Sequence, residues 1–439
     1  MAVGLSQLVF GLDGTAYLLA DTRGADDELQ RTLTALGRSG HVKSGWPIKG
    51  AVGSDFEPPA AGPDGSLYVE ECGASPVGCV LHRFGADGVE PPGWPFEVPT
   101  SSACVSGDQC SSYLVIGAGG TAYLSSWHQT RNQTQLIAID GDGKVVPGWP
   151  VAVDDSYGYW AEPELGADGT LFILSGFDER ENAWTSLSAF AADGSPRPGW
   201  PVSLAAIAGF RVGPHGTVVV VSFAPLADPS QGGLCSDASR TVFTVLGADG
   251  RTLPGWPRGS KGRASAPVID AEGADYYLSA LGNVYAHDRS GTVKAGWPVS
   301  IPEVYPGCGS YGPYLGPDRT VYVLGVEVDA ILPDGSGWRY RPTGGLRWPC
   351  FDNDCVQVAA APAFGPDGTA YIAVPHGDSS ELVALDHDGL VKPGWPYPLP
   401  VDPTKTSAPV LTVSPDGRLY VGLGDTMVLA LDPDGQISD

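Results

Sequence analysis

No run of apolar residues in this chain is long enough to cross a bilayer as a helix, so its 42% of hydrophobic residues points to a large buried core. Basic residues are scarce as well: 25 Lys and Arg stand against 50 Asp and Glu, a formal net charge of −25. Nucleic acid and anionic lipid are held mainly by cations that neutralise phosphate, so this balance excludes both as partners. Many of the aspartates recur in Asp-Gly turns, so the acidity is largely structural and argues only weakly for a cationic ligand. A secretory leader is also missing. Residues 1–20 are apolar, but they lack a basic start, contain Asp13 and align with the repeat below, so we expect a leader to have been removed.

What the chain has in excess is Gly (61) and Pro (40), set between alternating apolar segments, the composition of turn-dense all-β protein. At 439 residues, length alone suggests two or three domains, but an internal repeat overrides that expectation. Its cleanest copy is Ala361–Pro396, with an apolar run, an Asp-Gly turn, a Tyr-bearing strand, a variable loop, a second strand, another Asp-Gly turn and Gly-Trp-Pro. Asp-Gly between two strands is a strong hairpin signal, because such turns need positive φ. The Tyr position recurs as Tyr17, Tyr68, Tyr123, Phe172, Val219, Tyr277, Tyr322, Tyr371 and Tyr420. Trp-Pro recurs at Trp46, Trp94, Trp149, Trp200, Trp256, Trp297, Trp348 and Trp395.

A period near fifty residues with four short strands per copy predicts an all-β fold, a single β-propeller of four-stranded blades over residues 1–439. The blades are expected near 5–49, 50–98, 103–153, 156–204, 205–260, 264–300, 306–350, 356–400 and 406–439, nine in all, with eight as the alternative. The ninth is expected to lack its outer strand, with side-chain packing closing the ring at its weakest seam. Asp26–Leu36 has leucines at helical spacing, but its alignment with the other copies makes it a strand. The periodic aromatics are expected to fill the wedge between blades.

With strands named a to d from axis to rim, the a–b and c–d turns share one end of each blade, and these are the Asp-Gly turns. The b–c loops and the crossings between blades share the other end and carry all the variation. The eight cysteines fall there: Cys72, Cys79, Cys104, Cys110, Cys235, Cys308, Cys350 and Cys355. Three close pairs (72/79, 104/110 and 350/355) lie within single loops, leaving Cys235 with Cys308. An even count with local pairing predicts disulfides, and with them an extracellular or periplasmic location.

The blade ends resemble those of the quinoprotein-like (PQQ-repeat) propellers. The resemblance rests on Ala384-Leu385-Asp386 with Gly389 and Trp395, on Ala138-Ile139-Asp140 with Gly143 and Trp149, and on Ala430-Leu431-Asp432 with Gly435. It implies the propeller fold, with the Trp locking neighbouring blades. Dehydrogenases of that family hold pyrroloquinoline quinone near a pair of adjacent cysteines with calcium alongside, whereas other members act as scaffolds or binding modules. Here no two cysteines are adjacent and no Cys-x-x-Cys-His occurs. The expectation is therefore a non-enzymatic monomer that binds a protein or carbohydrate. A diverged quinoprotein, or a carbohydrate-active enzyme at the mouth of the axial channel, is the alternative.

Exposed aromatics suited to such recognition are sought in the variable loops: Trp127, His128, Arg131, Tyr157, Tyr159, Trp160, Trp184, Tyr305 and Tyr311. His128 and His376 could meet Asp178 or Glu179 above that end as an acid–base pair. No catalytic or metal residue and no cofactor is expected. Calcium stays open at Asp140-Gly-Asp142, Asp386-His-Asp388 and Asp432-Pro-Asp434, which echo the start of a calcium loop but which hairpin turns also explain.

Overall fold

The computed structural model describes the chain outside residues 1, 12, 24–28, 39–40, 52–53, 75–76, 100–111, 129–132, 155–161, 179–182, 225–239, 262–263, 279–281, 302–311, 344, 347–359, 404–407, 424–426 and 438–439. Among the described residues the only helix is one 3-10 turn, Pro214–Gly216, and no helix is long and apolar enough to cross a membrane. The rest is antiparallel β-sheet in nine successive blades, a nine-bladed β-propeller.

Met1–Ser203 makes up most of one compact unit and holds blades one to four. Blade one is Ala2–Phe10, Ala16–Arg23, Leu29–Leu36 and Ile48–Lys49, in that order across the sheet. Ala2–Phe10 pairs with Ala16–Arg23, so the N-terminal segment is the inner strand of the first blade. Leu29–Leu36 is extended, as the repeat required. In blade two, Ser54–Phe56 and Ala60–Ala61 both pair with Leu67–Ala74, followed by Val77–Phe84 and Phe96–Glu97. Blade three is Ser112–Ile116, Ala122–His128, Gln133–Ile139 and Val151–Asp154. Blade four is Glu164–Leu165, Leu171–Asp178, Ala183–Phe190 and the start of Val202–Val212, a long strand that also opens blade five.

The second unit, Leu204–Gly424 with Val428–Ser438, holds the remaining blades. Blade five continues with Val218–Ala224, Arg240–Leu246 and Arg258–Lys261, and blade six is Val268–Ile269, Asp275–Leu278, Asn283–His287 and Val299–Ser300. Blade seven is Tyr314–Leu315, Val321–Leu324, Val328–Ile331 and Gly337–Tyr340, and blade eight is Ala363–Phe364, Ala370–His376, Ser379–Leu385 and Tyr397–Leu399. Blade nine shows three strands, Val410–Val413, Leu419–Leu423 and Met427–Leu431.

The core lies between successive blades. Alternation along each strand sends one set of side chains to the blade before and the other to the blade after. Tyr17, Leu19, Leu33 and Ala35 of blade one thus pack on Phe56, Leu67, Val69 and Phe84 of blade two. Tyr68, Leu81 and Cys79 of blade two pack on Ala122, Leu124 and Ile137 of blade three. At about 25 cal/mol per Å² of apolar area, these faces stabilise adjacent blades only as a stack.

The recurrent aromatics clip neighbours together through their polar ends as well as filling the wedge. Tyr17 Oη donates to the Gly65 carbonyl of the next blade at 3.0 Å, and Tyr68 Oη to Gly120 at 3.0 Å. Trp94 Nε1 donates to the Gly141 carbonyl at 3.1 Å, Trp149 to Ala192 at 2.9 Å and Trp395 to Pro433 at 3.2 Å. Each described Trp-Pro bond is cis.

One position in the repeat is corrected. In blade six the wedge residue is Tyr276, not Tyr277: its ring lies 5.5 Å from Trp297, while Tyr277 faces the previous blade and stacks on Phe243 at 3.9 Å. Two consecutive tyrosines on a strand must point to opposite faces, and the register set by the Asp270–Ala274 turn selects the first. In blade seven a clip is formed by Trp338, which lies outside the Trp-Pro series. Trp338 lies 5.9 Å from Tyr322 and donates to the His387 carbonyl at 2.8 Å. Strand d begins there directly after the Asp334-Gly335 turn, so the tryptophan comes earlier in the chain than in the other copies. Trp348 lies outside the described residues.

Candidate binding face

The two ends of the blades differ in chemistry. At the end carrying the a–b and c–d turns, the aspartates are used internally. Asp367 accepts the Thr369 N–H at 3.0 Å, and Lys392 from the far side of the same blade reaches it at 2.9 Å. Burial pushes its carboxyl up, but Lys392 and the Thr369 N–H and hydroxyl outweigh this and hold it at about 2. Asp64 with Ser66 and Arg83 (2.6 Å), Asp168 with Thr170 and Arg197 (3.3 Å), and Asp13 with Thr15 and Lys43 (3.4 Å) repeat the device. Two of the calcium-like triplets make turn hydrogen bonds of the same kind. Asp140 accepts the N–H of Asp142 and of Lys144 at 2.9 Å, and Asp386 those of Asp388 (3.0 Å) and Leu390 (2.9 Å). Asp386, His387 and Asp388 each offer a donor atom within 4.8 Å of the others, on an exposed turn. His215 and His387 are exposed at this end, as turn residues should be.

One buried histidine–carboxylate contact also sits at the turn end. Asp275 opens strand b of blade six and His287 closes strand c, with Nδ1 3.3 Å from Oδ2 and both side chains almost fully buried. Burial raises the Asp275 carboxyl, against the opposing pull of His287. The imidazole packs edge-on to Trp256 and stacks near Tyr277 and Tyr285, closing it to solvent.

The b–c end carries different groups. In blade two, Cys72 and Cys79 stand directly opposite on the hairpin and are joined by a disulfide. The other six cysteines, Cys104, Cys110, Cys235, Cys308, Cys350 and Cys355, lie outside the described residues. On the same strand, Glu70 and Glu71 point to opposite faces. Glu71 faces blade one and holds a network: Oε2 is 3.0 Å from His82 Nε2, while Oε1 accepts the Ala51 N–H at 2.6 Å and the Ser54 hydroxyl. His82 Nδ1 is in turn 2.9 Å from Glu90 Oε1. Burial pulls the imidazole down, but the two carboxylates outweigh it and hold His82 above its ordinary value. Burial pushes Glu71 up, yet the hydrogen bonds from His82, Ser54 and Ala51 bring it to about 2.

Glu70 faces blade three instead. It is 2% exposed, and its Oε2 has no hydrogen-bond partner among the described residues. Burial, aided by the charge of Glu57, pushes its carboxyl up to about 8.

In blade seven the b–c connection is the tight turn Gly325-Val326-Glu327, closed by the Gly325 N–H on the Glu327 carbonyl at 3.0 Å. Arg339 lies 2.6 Å from Asp329, its direct cross-strand partner, and Arg341 lies 2.9 Å from Glu327. In blade eight His376 is 2.9 Å from Glu381 on its own hairpin; the side chains of Asp178 and Glu179, which it was expected to meet, are not among those described. Burial and the Glu381 charge raise the Tyr340 phenol of the preceding blade.

Of the aromatics expected to bind, Trp127 and His128 end strand b of blade three, opposite Thr134 and Gln133, and Trp184 begins strand c of blade four, opposite Phe177. These three backbones are at the b–c end; their side chains are not among those described. Arg131, Tyr157, Tyr159, Trp160, Tyr305 and Tyr311 lie outside the described residues. Sequence reading passed over Glu70, the Glu71–His82–Glu90 network and the arginine–carboxylate pairs of blade seven. A signal for the first was available: two consecutive acids on a strand put one on each face, and both faces of an inner strand are buried.

No protein-family profile matches the sequence. No curated protein matches it either. Among solved structures, the crystal structure of a eukaryotic initiation factor aligns over 95% of this chain and 96% of its own, at 9% identity and a TM-score of 0.55. BamB from Moraxella catarrhalis aligns over 88% of this chain and 97% of its own, at 16% identity and a TM-score of 0.42. Virginiamycin B lyase from Staphylococcus aureus aligns over 72% and 93%, at 11% identity and a TM-score of 0.39. With the first of these, what is shared is a fold. At these identities function does not travel with it.

Proposed function

We propose that this propeller is a non-enzymatic, extracytosolic binding or scaffolding protein that recognises a protein or carbohydrate through the b–c ends of its blades. The contrast between the two ends carries the reading. At the turn end the carboxylates are taken up by backbone N–H groups and by Lys or Arg of the same blade, in near-identical copies. At the b–c end the described groups differ from blade to blade: a disulfide hairpin in blade two, arginine–carboxylate pairs in blade seven, a His–Glu pair in blade eight. Variable groups on a rigid scaffold are where recognition concentrates. The Cys72–Cys79 bond supports an oxidising compartment.

The described histidines give little support to catalysis. Both ring nitrogens of His82 are engaged by carboxylates, and His287 is buried at the opposite end. Quinone chemistry of the family type lacks its platform, since no two cysteines of the chain are adjacent. The test is to screen the intact chain against arrays of glycans and of extracytosolic proteins, with a parallel assay of dye-linked alcohol oxidation after addition of pyrroloquinoline quinone and calcium. Saturable binding of one class without dye reduction is expected; dye reduction with saturation kinetics would replace this reading by an enzymatic one.

A further inference from the structure

We propose that Cys72–Cys79 is a thiol–disulfide exchange site, in which Glu70 hands its proton to the departing sulfur when a dithiol attacks. The geometry points to this directly. An oxygen of Glu70 and the sulfurs of Cys72 and Cys79 all lie within 4.8 Å of one another, on the face of blade two that packs against blade three. A structural disulfide needs no carboxylic acid beside it, and a buried one without a partner is costly to keep. Glu70 Oε2 is such a group, with no hydrogen bond among the described residues. Beside a disulfide, however, a buried acid has a use: a thiolate released into an apolar site is a poor leaving group unless a proton arrives with it.

Exposure sets the direction of attack. Cys79 is 5% exposed, whereas Cys72 is half-buried. The incoming thiolate therefore bonds to Cys72 Sγ, the Cys72–Cys79 bond breaks, and the electron pair leaves on Cys79 Sγ, which takes the proton of Glu70. The second thiol of the dithiol then attacks its own sulfur in the mixed disulfide and releases Cys72. The site gains two electrons and two protons, and the dithiol is oxidised to its disulfide. Glu70 regains its proton from water.

The groups around Glu70 keep that proton in place at neutral pH. Glu57, whose N–H donates to the Glu70 carbonyl at 2.8 Å, is the charged neighbour among the described residues that acts on it, and blade three contributes Leu114, Ile116, Leu124 and Ile137 to the facing core. Glu71 points to the other side of the sheet and Arg83 reaches Asp64 at the turn end. Burial holds the Glu70 acid at about 8, so it is protonated at pH 7 and ionised at pH 9.

The test uses the folded full chain and dithiothreitol, with alkylation and peptide mapping to follow Cys72 and Cys79, and circular dichroism to confirm that the fold persists. Reduction rates are divided by the dithiothreitol thiolate concentration at each pH. For the native protein the normalised rate should be level to about pH 7 and fall by about tenfold by pH 9. Glu70→Gln, which keeps the shape but has no proton to give, should be about tenfold slower at pH 7 and show no fall. Glu57→Gln should move the fall to lower pH, and together with the native profile it decides the matter if Glu70→Gln does not fold. Coincident, level profiles for the native protein and Glu57→Gln, or a Glu70→Gln profile equal to the native one, would overturn the proposal.

Discussion

His82 Nε2 lies 3.0 Å from Glu71 Oε2 at the seam between blades one and two, a charge pair whose two members titrate in opposite directions. Glu71 is held at about 2 against an ordinary 4.5, so its contribution to stability is present above pH 4.5 and is lost as pH falls toward 2. His82 is raised above its ordinary 6.5, so its contribution is present below pH 6.5 and is lost as pH rises through the folded value. The pair therefore stabilises most between about pH 4.5 and 6.5. His82→Gln should cost about 1.5–3 kcal/mol at pH 5.5 and little at pH 9 in thermal unfolding. An equal loss at both values would mean that packing on Phe84, not charge, is what His82 supplies.

The Gly-Trp-Pro of one blade meets the Asp-Gly turn of the next by backbone contact. Gly45 has φ 87°, and a Cβ there would fall into the Asp87 carbonyl of blade two. Gly169 has a similar φ of 79° with open space around it. Gly45→Ala should therefore cost about 2–4 kcal/mol, but Gly169→Ala only about 1–2, the strain of a left-handed alanine. Denaturant unfolding of the two variants measures the difference, which is the part due to the blade contact.

Non-reducing peptide mapping should find Cys104–Cys110 and Cys350–Cys355 bridged alongside Cys72–Cys79, with Cys235–Cys308 as the fourth link. Free thiols at the two local pairs would remove both those bridges and the support they lend to an oxidising compartment.

Much of the fold was legible because it repeats. Nine copies of one turn chemistry announce nine hairpin pairs, and the aromatic at a fixed distance from each turn announces the wedge. The misreading came where a copy departs from the template. Blade six doubles its tyrosine, so counting from neighbouring copies put Tyr277 in the place that Tyr276 occupies, and blade seven shortens the link to its outer strand, so its clip, Trp338, falls outside the Trp-Pro series. The polar groups of the b–c end were less legible for a physical reason. A carboxylate's role depends on which face of the strand it takes and what faces it across the blade seam, as Glu70 and Glu71 show by diverging from adjacent positions. His376 pairs with Glu381 across its own short hairpin, a contact set by strand register and not by any motif.

The most direct test of recognition through the b–c end compares two double variants that share blade three. Trp127→Ala with Trp184→Ala alters the b–c ends of blades three and four; Asp142→Asn with Lys144→Ala alters an exposed ion pair at the turn end of blade three. Affinity for the ligand returned by the array screen is measured for both by surface plasmon resonance, after circular dichroism has shown both to be folded. The first variant should lose at least about tenfold in affinity and the second should match the native protein. Affinity lost at the turn end and kept at the b–c end would contradict this assignment of the binding face.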